Sequence, residues 1–147
     1  MSADEKTAKD LVQTLKDGER GFTAAAEKLA DGDRPEWATT LQRLADQRAG
    51  FRREIVALGH DYGDDVDESG SAAAALHRGW ISLKDALTGD DAGSVLGAAV
   101  TGEDHAVSEY EKALEQDLSA GFREVVARQH ASVVAARDEV KGLQVAD

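Results

Sequence analysis

The sequence predicts an all-α fold built from four long amphipathic helices, and three observations indicate it. Apolar residues recur at steps of three and four over long stretches, which places them on one side of a helix. The 147 residues include a single proline, and strand-like alternation of useful length is absent from the sequence. A hydrophobic fraction of 41% with only 5% aromatic residues predicts one domain, residues 1–147, with an aliphatic core.

The first two helices form a predicted hairpin over residues 3–59. Ser2 followed by Glu5 is a capping-box pattern, so the first helix should begin near residue 3 and end at residues 31–33. Pro35 falls in the first turn of the second helix, where a missing N–H does no harm. Because only two or three residues connect these helices, we expect them to lie antiparallel.

The last two helices form a second predicted hairpin, residues 91–142, with a break near residue 118. Each long helix should span about 36–42 Å at 1.5 Å per residue, and the connection between the hairpins, residues 60–90, is long enough to run that length. This is the crossover topology of ferritin-like folds. The predicted fold class is therefore a ferritin-like four-helix bundle, made of two antiparallel hairpins and a short crossover helix.

The connection begins as a polar, acidic loop over residues 60–70 and continues as the short helix over residues 71–89, capped by Ser69 or Ser71. The loop's acidic residues superficially suggest a calcium site, but the aspartate spacing and terminal glutamate of that motif are absent. We therefore expect an ordinary solvated loop. The short helix should pack through Ala73, Leu76, Trp80, Leu83 and Leu87.

Charge and composition exclude several classes of function. A net charge of −12 argues against binding to nucleic acid or to an anionic membrane. The absence of cysteine excludes disulfides, thiolate metal sites and cysteine nucleophiles. The sequence shows neither the apolar core of a signal peptide nor the ~20 apolar residues that span a bilayer. We expect a cytoplasmic protein with neither membrane nor nucleic-acid partners.

Polar residues lie near the middle of each long helix's apolar stripe, where a bundle would bury them. They are Glu19, Gln47 beside Arg48, Glu103 and Gln129. A di-iron bundle takes one glutamate from each of two helices and a Glu-x-x-His motif from each of the other two. Glu19 and Glu103 could supply the first half of that ligand set.

The second half of that ligand set is missing, because Gln47-x-x-Gly50 and Gln129-x-x-Ser132 stand where Glu-x-x-His motifs would be expected. Neutral amides bind hard cations weakly, so a dinuclear oxidase site is not expected. The structural alternative is a forked pair between Arg48 and either Glu19 or Glu103, with the two glutamines adding hydrogen bonds. A single loosely held cation is a third interpretation.

The histidines and glycines are secondary candidates. His105 and His130 lie one or two positions off the stripe, His60 falls in the loop, and His77 on the crossover helix is expected to be structural. No nucleophilic triad, phosphate loop or dinucleotide motif is found in the sequence. The glycines of the fourth helix would permit a close approach inside or between bundles, and they are Gly93, Gly97 and Gly102.

Five segments of the sequence resemble a bacterial family of unknown function, whose members are described as ferritin-like four-helix-bundle proteins. The resemblance covers nearly the whole chain and is carried by DGERGF (17–22), DQRAGFRREI (46–55), SGSAAAALHRGWISLKDALTGDD (69–91), GEDHAVSEYEKAL (102–114) and ARQHASVVAARDEV (127–140). It implies the ferritin-like bundle and no established activity. It places ferritin-like ligands only at Glu19 and Glu103.

Two hypotheses for the function follow from the sequence. The first is a non-enzymatic, homo-oligomeric protein with a degenerate metal site, no cofactor, and a stress-related or scaffolding role. The second is a metal-binding redox or storage protein that holds iron or manganese with Glu19 and Glu103, together with His105 or His130. In the second case the site could be completed across a two-fold axis between subunits.

Overall fold

The computed structural model describes residues 2–59, 79–89 and 91–146, and every regular element among them is an α-helix. The predicted all-α class is therefore confirmed for the described residues. None of the helices in these ranges is both long and apolar enough to cross a membrane. The helices are α1 (Ala3–Ala30), α2 (Pro35–Gly59), α3 (Ile81–Thr88), α4 (Ala92–Leu114) and α5 (Ala120–Ala146).

The direction of α2 relative to α5 is fixed by two surface ion pairs. Arg43 of α2 lies 2.5 Å from Glu139 near the end of α5, whereas Glu54, further along α2, pairs with Arg128 earlier in α5. The residue numbers of the contacts therefore rise along α2 while they fall along α5. The helices α2 and α5 are therefore antiparallel.

The same reasoning applies to α4 against its two neighbours. Tyr110 and Asp104 of α4 contact Gln129 and Arg137 of α5 respectively, so these two helices run antiparallel. The first turn of α1 contacts the residues that follow α4, and the middle of both helices contacts the same tryptophan, so α1 and α4 are antiparallel as well. It follows that α2 and α4 run in the same direction, and that the chain between them joins opposite ends of the molecule.

Side-chain hydrogen bonds define the N-terminal ends of α1 and α4. The Ser2 hydroxyl accepts a hydrogen bond from the backbone N–H of Glu5 at 3.1 Å, as the capping pattern predicts. Asp91 caps α4 by accepting from the N–H of Gly93 at 3.0 Å. At its other end α4 stops at Leu114, a few residues before the predicted boundary.

The turn between α4 and α5 is held by side chains from α1 and α5. One carboxylate oxygen of Asp4 accepts from the N–H of Ser119 at 3.0 Å. The guanidinium of Arg123 donates to the backbone carbonyls of Leu114 at 2.7 Å and Gln116 at 2.5 Å. The Asp4 contact satisfies a backbone N–H just before α5, and the Arg123 contact satisfies the carbonyl of Leu114 at the end of α4.

The crossover segment differs from its prediction. A continuous helix was predicted over residues 71–89, but Gly79 has φ +91° and Trp80 is not helical, so α3 begins only at Ile81. A positive φ is readily adopted by glycine and breaks a right-handed helix. Trp80 and Leu83 are buried as predicted. The predicted acidic loop and the residues Ala73, Leu76, His60 and His77 lie outside the described ranges.

The apolar core consists of two clusters with a polar level between them. One cluster contains Phe22, Leu44, Trp80 and Leu96, and the other contains Leu15, Ile55 and Tyr110. Arg48 of α2 and Glu103 of α4 are both buried and lie along their helices between residues of the two clusters. The predicted polar level is thus occupied by a cation and an anion.

Candidate functional site

The centre of the candidate site is a forked ion pair between Arg48 and Glu103. The Nη1 group of Arg48 donates to Oε1 of Glu103, and its Nη2 group donates to Oε2 at 2.7 Å. The side chains are 1% and 0% exposed, respectively. Two parallel, charge-assisted hydrogen bonds are the strongest arrangement available to these two groups. Both oxygens of the glutamate therefore accept from the same cation.

The remaining surfaces of Arg48 are also covered. Its Nε–H donates to the side-chain oxygen of Gln47 at 3.2 Å, and its guanidinium carbon lies 5.2 Å from the centroid of the Phe22 ring. Gly18 of α1 faces the aliphatic part of the side chain, since a Cβ atom there would lie 3.5 Å from Cγ of Arg48. The arginine is held by a carboxylate, an amide and an aromatic face, in a position without water access.

Burial governs the electrostatics of the pair. Removal from water raises the pKa of Glu103 above its usual value, while the charge and hydrogen bonds of Arg48 act in the opposite direction. Arg137 lowers the pKa further, and Asp104 raises it. A buried pair of this kind costs desolvation energy that its mutual attraction only partly offsets. Removing either partner alone is therefore expected to be costly.

A second buried network lies beside the pair and includes Gln129. The Tyr110 hydroxyl donates to Oε1 of Gln129 at 2.6 Å, and Nε2 of Gln129 donates to Oε1 of Glu54 at 2.8 Å. The other oxygen of Glu54 accepts from Arg128. Burial raises the pKa of Tyr110, so its hydroxyl keeps the proton that it donates. Gln129 serves as a hydrogen-bond relay between α4 and α2.

Two members of this network, Tyr110 and Glu54, were missed by the sequence reasoning. Tyr110 has the spacing of an apolar core residue on its helix, and Glu54 is half-buried beside Ile55. A signal was available for the tyrosine, because a buried hydroxyl needs a hydrogen-bond partner and Gln129 was already placed at a similar level. For Glu54 we find no such signal in the sequence.

The structure separates Glu19 from Glu103. Glu19 is on α1 with a 35% exposed side chain, and its carboxylate lies 3.4 Å from Nε of Arg52. It lines an open depression together with Lys16 and Arg20. Of the two forked pairs considered from the sequence, the one between Arg48 and Glu103 is formed.

Of the histidines that the structure describes, neither His105 nor His130 assembles with these carboxylates into a ligand cluster. Among the described residues no group of three or more acidic, histidine or cysteine side chains is placed to hold a metal ion. Nε2 of His130 lies 3.8 Å from Glu111, and His105 packs against Gly79. His60 and His77 are outside the described residues.

Comparison with known protein families adds one finding. Residues 5–116, more than half of the 147-residue chain, match the family described as Domain of unknown function (DUF2383). The chain belongs to this family. The DUF2383 match includes Glu19, Arg48 and Glu103 and ends before Gln129. Membership of a family of unknown function is thereby confirmed, although the DUF2383 description names no ferritin-like fold. A comparison with curated proteins finds no match.

Proposed function

We propose that this DUF2383 protein is a non-enzymatic helical scaffold with ferritin-like topology, serving a structural or stress-related role. The observation that carries the proposal is the forked pair, because a guanidinium satisfies both oxygens of the central glutamate. In ferritin-like proteins, carboxylates at this level bind metal ions. The antiparallel neighbours, and a connection that joins opposite ends of the molecule, support the ferritin-like topology.

The chemistry of the donor set favours this proposal over an iron or manganese site. Each glutamate of the expected ligand pair is paired with an arginine: Glu103 with Arg48, and Glu19 with Arg52. A fixed positive charge next to a carboxylate repels a metal cation, and the amides of Gln47 and Gln129 are weak ligands for hard cations. We therefore propose that Arg48 replaces the metal in holding α2 and α4 together.

Metal analysis of the purified protein tests the proposal. The protein is purified without a metal-affinity step and resupplied with iron, manganese and zinc, after which bound metal and melting temperature are measured. We expect substoichiometric metal and a melting temperature that none of the three changes. Stoichiometric metal that is lost in Glu103→Gln, but kept in the surface control Glu139→Gln, would instead establish the storage or redox function.

The homo-oligomeric state and the cytoplasmic location stay predictions from the sequence. We propose a homo-oligomer because a scaffold acts by association, and most soluble assemblies are symmetric homo-oligomers. Light scattering coupled to size-exclusion chromatography measures the mass in solution. A monomer across micromolar concentrations would remove the scaffolding part of the proposal and leave the ion-pair part intact.

A further inference from the structure

Trp80 occupies a slot between two glycines on different helices. A Cβ atom at Gly21 of α1 would lie 2.4 Å from the indole, and one at Gly102 of α4 would lie 2.2 Å from it. Trp80 is 2% exposed. Real Cβ atoms cannot approach so closely, so the slot exists only because neither helix places a side chain there. The indole fills the space between these parts of α1 and α4.

The indole is linked to the buried ion pair through one aromatic ring. The Phe22 ring meets Trp80 edge-on, with centroids 5.1 Å apart and planes at 74°. The guanidinium of Arg48 lies against the same phenylalanine, 5.2 Å from its centroid. Trp80, Phe22, Arg48 and Glu103 therefore form a continuous series of contacts. Emptying the slot would uncover the edge of the phenylalanine that lies against the arginine.

Among the described residues, the segment carrying Trp80, residues 79–88, is attached by few side chains. Within α3, Leu83 and Ala86 are buried and Leu87 packs against the core while partly buried, whereas Ile81 is 48% exposed. No side chain caps the first turn of α3. Among the described elements, its principal contacts are with α1 and α4, the same two helices that form the slot. A short element with few buried apolar groups is the kind that opens locally.

We propose that residues 79–88 form a lid, locked by Trp80, whose opening hydrates the Arg48–Glu103 pair while the long helices remain packed. The lid gives water a route to a pair that is otherwise buried, and this goes beyond the scaffold function proposed above. Opening need not displace a side chain of α1 or α4 at the slot, because each helix places a glycine there, Gly21 or Gly102. The long helices keep their own contacts along the rest of their lengths.

Hydrogen exchange tests whether the lid opens on its own. We expect the indole N–H of Trp80 and the amide of Leu83 to exchange at least about 10-fold faster than the amide of Leu44 in the core of α2, at rates that low denaturant does not change. Gly79→Ala should strain the lid, because alanine disfavours the positive φ of this position and its Cβ would lie 2.5 Å from Cβ of His105. The variant should therefore accelerate hydrogen exchange in the lid and leave the core amides unchanged. Exchange of lid and core amides only together, with the same denaturant dependence, would overturn the proposal.

Carboxyl NMR of Glu103 tests the coupling between the lid and the pair. In Trp80→Gly, hydration should lower the pKa of Glu103 towards its usual range, and added indole should reverse the change by filling the slot. Trp37→Phe, at the other buried tryptophan, should leave Glu103 unchanged. An unchanged Glu103 titration in folded Trp80→Gly would show that the lid does not control the pair. If Trp80→Gly does not fold, the pKa of Glu103 is measured in Gly79→Ala instead. An unchanged pKa in that variant, together with faster hydrogen exchange in the lid, would also show that the lid does not control the pair.

Discussion

At the scale of single residues, Arg48 connects three other side chains near the centre of the described core. It satisfies Glu103, contacts Gln47 and covers one face of Phe22. Ion pairs buried this deeply seldom stabilise a fold more than apolar side chains of the same volume would. In this protein the pair opposes misalignment, because any slip of α2 against α4 would leave two buried charges unpaired. The pair therefore selects one register between the hairpins.

Arg48→Met should destabilise the protein by about 3–5 kcal/mol, because it leaves the Glu103 carboxylate buried without its cation. The double variant Arg48→Met with Glu103→Leu should recover most of that loss, since no unpaired charge remains. Urea unfolding followed by circular dichroism measures both.

The exposed pair Arg43–Glu139 provides the matched control, with side chains 55% and 42% exposed. Arg43→Met should change the free energy of unfolding by less than about 1 kcal/mol. A double variant that is no more stable than Arg48→Met would contradict the electrostatic explanation, and would indicate that packing alone is lost.

The cost of Arg48→Met should depend on pH. Burial raises the pKa of Glu103 above its usual value of 4.5, and removing the opposing arginine should raise it further. A carboxyl group with a raised folded-state pKa contributes stability that is fully present below its unfolded pKa and lost as the pH rises through the folded pKa. The stability difference between parent and variant should therefore be smallest below pH 4.5. It should grow as the pH rises and level off above the folded-state pKa of Glu103 in the variant. Urea unfolding of both proteins between about pH 4 and 8 measures it, and a constant difference would exclude Glu103 as the cause.

At the scale of helices, the two glycines beside Trp80 determine how α1 and α4 accommodate the crossover segment. Gly102→Ala should lose about 1–3 kcal/mol through overpacking, despite alanine's higher helix propensity. Gly142→Ala on α5, where no atom lies within 4 Å of the added Cβ, should gain up to about 1 kcal/mol. Thermal unfolding compares the two variants. An equal gain in stability for both would mean that Trp80 can shift away from the added Cβ atom without a loss of stability.

Periodicity predicts which side of a helix is inward more reliably than it predicts the partner of each residue. Arg48, Glu103 and Gln129 were placed inward by their spacing, and all three are buried. Glu19 met the same criterion but lies at the edge of its stripe, where Arg52 of the neighbouring helix reaches it. An apolar stripe is wide enough to include residues at the helix boundary. Spacing along one helix also carries no information about which side chain of another helix fills a gap.

The break at Gly79 shows a different limit. Residues 71–89 carry a helical pattern of apolar residues, and a lone glycine in such a pattern is usually tolerated. The decisive contact is tertiary, because the glycine packs against His105 and turns the chain so that the indole enters the slot. Helix propensity is overridden where burial of a tryptophan offsets the loss of a turn.

At the scale of the whole molecule, the net charge of −12 opposes folding through repulsion between like charges. Raising sodium chloride from about 20 to 500 mM should screen this repulsion and raise the melting temperature by about 2–4 °C. The difference between parent and Arg48→Met should stay constant with salt, because ions cannot reach the buried pair. Scanning calorimetry measures both quantities. A melting temperature that falls with salt would show that surface ion pairs outweigh the repulsion.

The contacts at the turn between α4 and α5 decide where the chain can be opened for protein engineering. Asp4 and Arg123 tie residues 114–119 to the rest of the structure, so a peptide inserted there would separate polar groups that now satisfy each other. Residues 31–33 of the other hairpin turn are exposed. A fluorescent label or an epitope therefore belongs between α1 and α2, at the opposite end of the molecule from the tied turn.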